Sequence, residues 1–212
     1  MGQKIHPIGF RLGAGGLWQS RWYGNAQTYS KNLLEDVGIR KFLAGKLKLA
    51  GFMSVEIERL INKMKIIIHV TRPGVVIGRG GTGLEDLKKN LVSLVSLPSA
   101  DKNVQIEVVE VKEPDLSAYL VAGRIVSELE RRLPHRRVVG RAIERTIGAG
   151  ATGVRVVLSG RIAGAEIGRK ETYNQGKLPL GRIRADIDFA QVPALTKSGY
   201  VGVKVWIYKE RE

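Results

Sequence analysis

The most restrictive feature of this sequence is a glycine cluster between a strand-like run and a helix-like run. Val75–Gly83 reads V-V-I-G-R-G-G-T-G. The preceding segment, Lys65–Val70, is short and β-branched, which predicts a strand. Apolar residues then recur every three or four positions over Leu84–Val95, which predicts a helix. A chain that turns here without bulky side chains can bring its backbone against a phosphodiester strand.

Two kinds of nucleotide-binding loop share this pattern. Gly78, Gly80 and Gly83 satisfy G-x-G-x-x-G, the dinucleotide fingerprint, which also requires an acidic residue about 20 positions further on, closing the next strand. The candidates for that residue, Glu107 and Glu110, lie inside an alternating strand and not at its end. The fingerprint is therefore incomplete.

The alternative is the G-x-x-G loop of a KH domain, which clamps about four backbone nucleotides. It consists here of Gly78, Arg79, Gly80 and Gly81, and Arg79 is placed to meet phosphate. Thr82, followed by Glu85, predicts a capping box at the start of the next helix. A glycine-rich turn without a ligand also fits these residues, so the order of the surrounding elements must decide.

That order favours the KH domain. Periodicity predicts a helix over Asn32–Ala50, strands over Met53–Ile61 and Lys65–Val70, and a last strand over Val104–Val111. With the short turn before Gly78 counted as a helix, the order is helix, strand, strand, helix, helix, strand. It is the prokaryotic (type II) KH arrangement and not the alternation of a doubly wound sheet.

Charge indicates the class of partner. The 212 residues include 35 Lys and Arg against 20 Asp and Glu, a net charge of +15. Such an excess predicts a polyanion, and nucleic acid is favoured over membrane because no long apolar run is present. The chain has no cysteine, which excludes disulfides and thiolate metal sites and suits a cytoplasmic protein.

A second domain is predicted after Pro114. Two helices, Ser117–Leu133 and Arg136–Ala149, flank Pro134. The strand-like runs that follow are Val154–Ser159, Glu166–Tyr173, Arg182–Phe189 and Val201–Tyr208. The predicted fold class is α+β: a type II KH domain, then a second α/β domain of two helices and about four strands. The expected segments are a basic aromatic arm (1–31), the KH domain (32–113) and the C-terminal domain (114–212).

The second helix of that domain carries a cationic stripe. Arg137, Arg141 and Arg145 are four residues apart, hence on one helix face. Arg131, Arg132 and Arg136 extend it around the bend. A charged run is usually only a solvated face, but this one lacks alternating acidic residues, which indicates contact with phosphates.

Signals for an enzyme are missing from the sequence. The three histidines lie far apart and lack the spacing of metal ligands. No nucleophile motif or Walker phosphate loop occurs. Asp186 and Asp188 lie two apart on one predicted strand, where pairing with Arg182 and Arg184 is favoured over magnesium binding. No catalytic activity, cofactor or small-molecule substrate is therefore expected.

The first 31 residues contain four basic residues and no acidic one. Their aromatic residues, including Trp18 and Trp22, are available to stack on bases or to enter the core. The sequence leaves both possibilities open.

Several motifs together resemble one known family. The opening G-Q-K-I-H-P-I-G-F-R-L-G, the segment W-Q-S-R-W and the loop R-P-G-V-V-I-G are similar to those of the bacterial small-subunit ribosomal protein three family. So are S-G-R-I-A-G-A-E-I-G-R, R-A-D-I-D-F and G-V-K-V-W-I-Y near the C-terminus. The resemblance covers nearly the whole chain in order.

The resemblance implies a protein of the small-subunit head, in the cytoplasm, with 16S rRNA, mRNA and neighbouring head proteins as partners. In this family a basic helix at the mRNA entrance channel helps to open structured mRNA. H-R-R-V-V-G-R aligns with it, so Arg136 and Arg137 would inherit the contact. Gly140 and Gly80 stand where many members carry a basic residue. Further candidates for rRNA contact are Lys4, Arg11, Trp22, Arg161, Arg169, Lys170 and Arg184.

One rival remains from the sequence: a free KH-type RNA-binding protein acting in RNA decay or regulation. It accounts for the loop and the charge, but not for the C-terminal strands or the aromatic N-terminal segment.

Overall fold

The computed structural model describes residues 4–14, 16, 18–60, 63–95 and 103–210. The chain divides into two compact units. One unit spans residues 18–112, and the other combines residues 1–17 with residues 113–212. We call them the KH unit and the C-terminal unit.

Each unit contains both helices and strands. In chain order they are α1 (Pro7–Arg11), β1 (Ser20–Arg21), α2 (Ala26–Lys46), β2 (Phe52–Arg59), β3 (Met64–Val70), α3 (Pro73–Ile77), α4 (Thr82–Val92), β4 (Val104–Glu110), α5 (Ala118–Glu130), α6 (His135–Gly148), β5 (Gly153–Gly160), β6 (Arg169–Gly176), β7 (Asp186–Thr196) and β8 (Gly199–Lys209).

The KH unit is a four-stranded sheet covered by helices. Its strand order is β1-β2-β3-β4, with β2 and β3 antiparallel and β3 and β4 parallel. Every second residue of β3, from Met64 to Val70, is fully buried. Ile39 and Leu43 of α2 and Leu91 of α4 complete this core. The predicted element order and α+β fold class are confirmed.

Helix α2 begins earlier than the sequence pattern indicates. It starts at Ala26 instead of Asn32, after Asn25, whose carbonyl accepts the N–H groups of Thr28 and Tyr29. Residues 26–31 are exposed and carry no apolar periodicity, so a hydrophobic pattern cannot detect them. These six residues, predicted to lie in the N-terminal arm, are helical.

The C-terminal unit is an antiparallel sheet in the order β6-β5-β8-β7. Helices α5 and α6 cover one face, which we call the helix face. Val156 and Leu158 of β5 and Val203 and Val205 of β8 are fully buried there. The structure confirms the predicted two helices and four strands.

Two strands of this sheet lie later in the sequence than predicted. β6 spans Arg169–Gly176, and β7 spans Asp186–Thr196 and includes Pro193. Proline lacks the N–H group that a central strand needs, so its presence argues against a strand in the sequence. β7 is an edge strand, where proline is tolerated.

The N-terminal segment packs on the C-terminal sheet. Arg11 is only 5% exposed, and its guanidinium donates to the carbonyls of Pro7, Leu180 and Arg182 at 2.8–3.0 Å. The ring of His6 meets the edge of Phe189 at 5.1 Å. Residues 4–14 are therefore part of the C-terminal unit.

Asp188 does not make the predicted pair with Arg182 or Arg184. Its carboxylate accepts the backbone N–H groups of Ala118, at 2.7 Å, and Phe189, at 2.8 Å. The side chain faces α5, because it shares a face of β7 with the buried Ala190 and Ala194.

Candidate nucleic-acid interface

The glycine loop of the KH unit has an open backbone. Gly78, Gly80 and Gly81 have φ values of +71°, +63° and +85°, a region that favours glycine. A Cβ atom added at Gly80 or Gly81 would meet nothing within 4 Å. Arg79, between Gly78 and Gly80, is exposed. A phosphodiester strand can therefore approach the loop backbone directly.

Two glycines allow α3 and α4 to approach each other. A Cβ atom at Gly83 would lie 2.7 Å from the carbonyl oxygen of Val76, and one at Gly78 would lie 3.0 Å from the nitrogen of Gly83. Such contacts are closer than side chains tolerate. The glycines thus have two separate roles. Gly80 and Gly81 provide positive φ values in the loop, and Gly78 and Gly83 allow the two helix backbones to approach closely.

The predicted capping box at Thr82 is wrong. Gly81 is the N-cap residue and Thr82 is the first helical residue. The Thr82 hydroxyl donates to the carbonyl of Arg79 at 3.0 Å, which closes the turn and leaves the N-terminus of α4 without a side-chain cap.

The six predicted phosphate-contacting arginines are all exposed, from the bend between α5 and α6 to the last turn of α6. They are Arg131, Arg132, Arg136, Arg137, Arg141 and Arg145. Arg132 has φ +62°, uncommon for a residue with a side chain, and it turns the chain just before Pro134. The opposite side of α6 is anchored by Val138, Val139 and Ile143, which are buried in the core. The sequence prediction that these arginines share one surface is consistent with this geometry.

These arginines are poorly neutralised. The nearest carboxylate contact is between Arg141 Nη1 and Glu128 Oε2, at 3.8 Å. Within the described part of the chain, the other five arginines have no carboxylate within 4.0 Å. Exposed ion pairs of this kind contribute little to protein stability. The guanidinium groups therefore keep their donors for an outside acceptor.

The start of α6 adds to the positive potential. The N-cap residue, Pro134, provides no side-chain cap, and the first turn contains Arg136 and Arg137 but no acidic residue. A helix N-terminus already carries a partial positive charge and exposed N–H groups, which attract anions. The two arginines repel the partial positive charge of the helix N-terminus, which destabilises the free helix. A phosphate bound there would neutralise this repulsion.

A polar cluster joins the N-terminus of α6 to β6. His135 Nε2 lies 3.0 Å from Glu171 Oε2, and the Tyr173 hydroxyl donates to the same carboxylate at 2.6 Å. That hydrogen bond is the main cause that lowers the pKa of Glu171, while burial raises the pKa of Tyr173. Arg169 Nε also donates to Glu171, at 2.7 Å. Arg169, a predicted rRNA contact, is thus partly engaged within the protein.

The remaining predicted RNA contacts are scattered. Arg11 is buried, and the indole N–H of Trp22 donates to Asp36 at 2.8 Å. Arg161 donates to the Ala165 carbonyl but remains exposed. Arg184 is exposed before β7, and Lys4 and Lys170 line a groove on the C-terminal sheet.

Other site types are not found in the described residues. They contain no group of three or more histidines or carboxylates arranged to hold a metal ion. None of the described helices is both long enough and apolar enough to cross a membrane.

Comparison with known proteins identifies the family. Residues 38–116 match the family model of the KH domain, and residues 125–207 match that of ribosomal protein S3, C-terminal domain. A protein of Clostridium novyi named small ribosomal subunit protein uS3 is 44% identical over 209 residues, which cover 99% of this chain and 93% of the relative. The chain belongs to the uS3 family.

Other uS3 proteins match over the same extent. The one from Desulforamulus reducens is 45% identical over 99% of this chain and 92% of its own length. The one from Persephonella marina is 49% identical over 99% of this chain and 90% of its own length. The family resemblance inferred from the sequence motifs is confirmed.

Proposed function

We propose that this protein is a structural constituent of the small ribosomal subunit head that binds 16S rRNA and contacts mRNA at the entrance channel. Membership in the uS3 family supports the ribosomal role. The observation that carries the mRNA contact is the surface of exposed, unneutralised arginines at the start of α6.

The proposed action on mRNA is electrostatic. Arg136 and Arg137 hold single-stranded mRNA by its phosphates, since each guanidinium can donate two parallel hydrogen bonds to a phosphate. Holding the strand disfavours reformation of the duplex ahead of it. Translocation by the ribosome supplies the work, so no nucleotide hydrolysis by this protein is needed. Contacts with phosphate predict little dependence on base sequence.

The glycine loop is proposed as a second RNA contact. Its open backbone at Gly80 and Gly81 suits close approach of a phosphodiester, and Arg79 adds one cation. The loop lacks a basic side chain at Gly80, so we expect a weaker clamp than in relatives with two. Val75 and Ile77, 57% and 40% exposed, provide an apolar rim beside the loop on which bases can rest.

The decisive experiment compares two messages in a reconstituted translation system. Ribosomes carrying Arg136→Ala and Arg137→Ala together should slow on a message with a stable hairpin and read an unstructured message at the normal rate. Lys112→Ala with Lys177→Ala, which removes two exposed cations outside the arginine surface, is the matched control. Equal slowing on both messages would contradict the proposal.

Sedimentation tests the ribosomal location separately. We expect tagged protein from a cell lysate to co-sediment near-stoichiometrically with the small subunit through a high-salt sucrose gradient. High salt removes weakly held electrostatic binders. Recovery only in the light fractions would favour a free RNA-binding protein.

A further inference from the structure

The C-terminal sheet has a second face that neither the arginine surface nor the glycine loop uses. Helices α5 and α6 cover the helix face, whereas α1 and the 177–185 loop cover only part of the opposite face, which we call the open face. The uncovered part forms a groove of about 1030 Å³. This volume is at the upper end of the range for pockets that hold ligands.

Strand register places the groove side chains in rows. Arg155 of β5 lies opposite Asn174 of β6 and Trp206 of β8, and Trp206 lies opposite Phe189 of β7. Two residues along, Lys204 of β8 lies opposite Val157 and Gln191. Lys170 of β6, opposite Ser159, begins a third row. Neighbouring strands are about 4.8 Å apart, so the rows form a continuous surface.

The charge of this surface has one sign. Arg155, Lys170 and Lys204 project from three different strands, and Lys4 adds a fourth cation at the rim. Among the described residues that line the groove, none is acidic. A merely solvated sheet face gains stability from opposite charges across strands. A surface with cations alone is complementary to a polyanion.

The same surface carries an aromatic platform. The rings of Phe189 and Trp206 lie 5.0 Å apart with an interplanar angle of 41°. The side-chain amide oxygen of Asn174 (Oδ1) accepts the Nε–H of Arg155 at 2.8 Å, which holds that guanidinium in the row beside Trp206. Four-stranded sheets with aromatic side chains on an open face can stack unpaired bases.

We propose that this groove binds a single-stranded segment of RNA. Bases stack on Trp206, and Lys170, Lys204 and Arg155 contact the phosphates. An A-form duplex is disfavoured because its bases are stacked internally and cannot lie on a protein ring. An acidic peptide would satisfy the cations but has no planar group for the platform. This inference rests on the proposed function in one respect, that RNA is the partner.

The direct test follows Trp206 in the full-length protein labelled with 5-fluorotryptophan. Fluorine resonances are recorded during titration with hexauridylate, hexaadenylate, a short RNA duplex and hexaglutamate. The Trp206 resonance is assigned from the spectrum of Trp206→Phe. We expect both single-stranded hexanucleotides to shift it, and the duplex to leave it unchanged. An equal shift with hexaglutamate would overturn the proposal in favour of an acidic protein segment.

Charge variants test the phosphate contacts. Lys204→Gln and Lys170→Gln are surface changes, and each should lower the magnitude of the slope of log affinity for a labelled hexanucleotide against log salt by about 0.7. Lys177→Gln, an exposed position of the same unit outside the groove, is the matched control. If all three changes alter the salt dependence equally, only the net charge of the protein governs binding, and the groove proposal is overturned.

Aromatic variants test stacking. Trp206→Phe should retain most of the hexanucleotide affinity, whereas Trp206→Leu should weaken it roughly tenfold. Circular dichroism establishes whether Trp206→Leu remains folded, and the lysine variants keep the test valid if it does not.

The measurements distinguish failure of the groove proposal from failure of the mRNA proposal. If hexanucleotides bind and Arg136→Ala with Arg137→Ala abolishes binding while the Trp206 resonance never moves, the groove proposal fails and the mRNA contact stands. If the Trp206 resonance shifts but the double variant translates hairpin messages normally, the groove stands and the mRNA proposal fails.

Discussion

The carboxylate of Asp188 accepts the backbone N–H of Ala118, the first residue of α5, at 2.7 Å. The helix has no side-chain cap of its own, because the N-cap residue Ser117 makes no such hydrogen bond. A strand residue 70 positions later in the sequence therefore caps the helix. This hydrogen bond ties the start of α5 to the edge strand of the sheet.

Removing this cap should destabilise the C-terminal unit. We expect Asp188→Ala to lower the free energy of unfolding by about 1–2 kcal/mol, because the Ala118 N–H loses its acceptor. Asp188→Asn keeps an acceptor oxygen and should cost less. Urea unfolding gives the size of the effect, and hydrogen exchange of residues 118–130 locates it. Identical losses for the two variants would argue against a capping role.

The two ends of α6 should respond oppositely to a change of charge. Arg137→Glu places a carboxylate in the first turn and should stabilise the protein by about 0.3–1 kcal/mol at low salt, while weakening RNA binding. Arg145→Glu makes the same change in the last turn and should destabilise it. Thermal unfolding and RNA affinity are measured for both. Loss of stability in both variants would show that the helix dipole does not govern this site.

The two classes of glycine in the KH loop should differ in sensitivity. Gly80→Ala forces a side chain into positive φ in open space and should cost about 1 kcal/mol. Gly83→Ala should cost more, because its Cβ would press on the carbonyl oxygens of Val76 and Ile77. Urea unfolding of the KH unit measures both. A smaller loss for Gly83→Ala would contradict the close packing of α3 and α4.

A buried ion pair should dominate the stability of the KH unit. Asp36, 2% exposed, accepts from Arg59 at 2.6 Å and from Trp22 at 2.8 Å. Asp36→Ala removes one of the two carboxylates that pair with buried Arg59, since Glu35 remains at 2.8 Å, and also removes the acceptor of the Trp22 N–H. The change should cost about 3 kcal/mol. Urea unfolding followed by circular dichroism measures the loss.

The control for this prediction is a surface pair of the same unit. Glu58 lies 3.2 Å from Arg21, and both side chains are at least a third exposed. Glu58→Gln should therefore change stability by less than about 1 kcal/mol. Comparable losses at the two positions would refute the importance of burial.

Glu171 should give the C-terminal unit an acid-sensitive stability. The hydrogen bond from Tyr173 lowers the pKa of Glu171 in the folded protein. A lowered pKa contributes stability that is present above the unfolded value, about 4.3 for glutamate, and is lost as pH falls through the folded value. Glu171→Gln should therefore be less stable than wild type at pH 7, and the difference in melting temperature should shrink as pH falls below the unfolded value. A constant difference across this range would exclude titration of Glu171 as the cause.

Features set by local periodicity were predictable from the sequence. Alternating burial along β3 and the spacing of Val139 and Ile143 on α6 follow directly from strand and helix geometry. The exposed arginine surface follows from the same spacing, because positions four apart share a helix face. The glycine loop was predictable because its pattern combines with a distinctive order of elements.

Features that depend on distant partners were not predictable. Arg11 is a predicted RNA contact, yet its hydrogen bonds reach residues about 170 positions away. Asp188 and its helix cap are likewise separated by 70 residues. The groove cations Arg155 and Lys204 lie on strands whose pairing and register must be known before they can be placed on one face. No local pattern carries that information.

The packing of α1 on the C-terminal sheet has a consequence for synthesis. Residues 4–14 are synthesised long before Gly199–Lys209, the strand that completes the sheet on which they pack. At about 5–20 residues per second, the segment waits on the order of 10–40 s for its binding surface. The basic N-terminal segment is thus exposed to cellular RNA while the KH unit can already fold, and docking of α1 marks the end of folding and not its beginning.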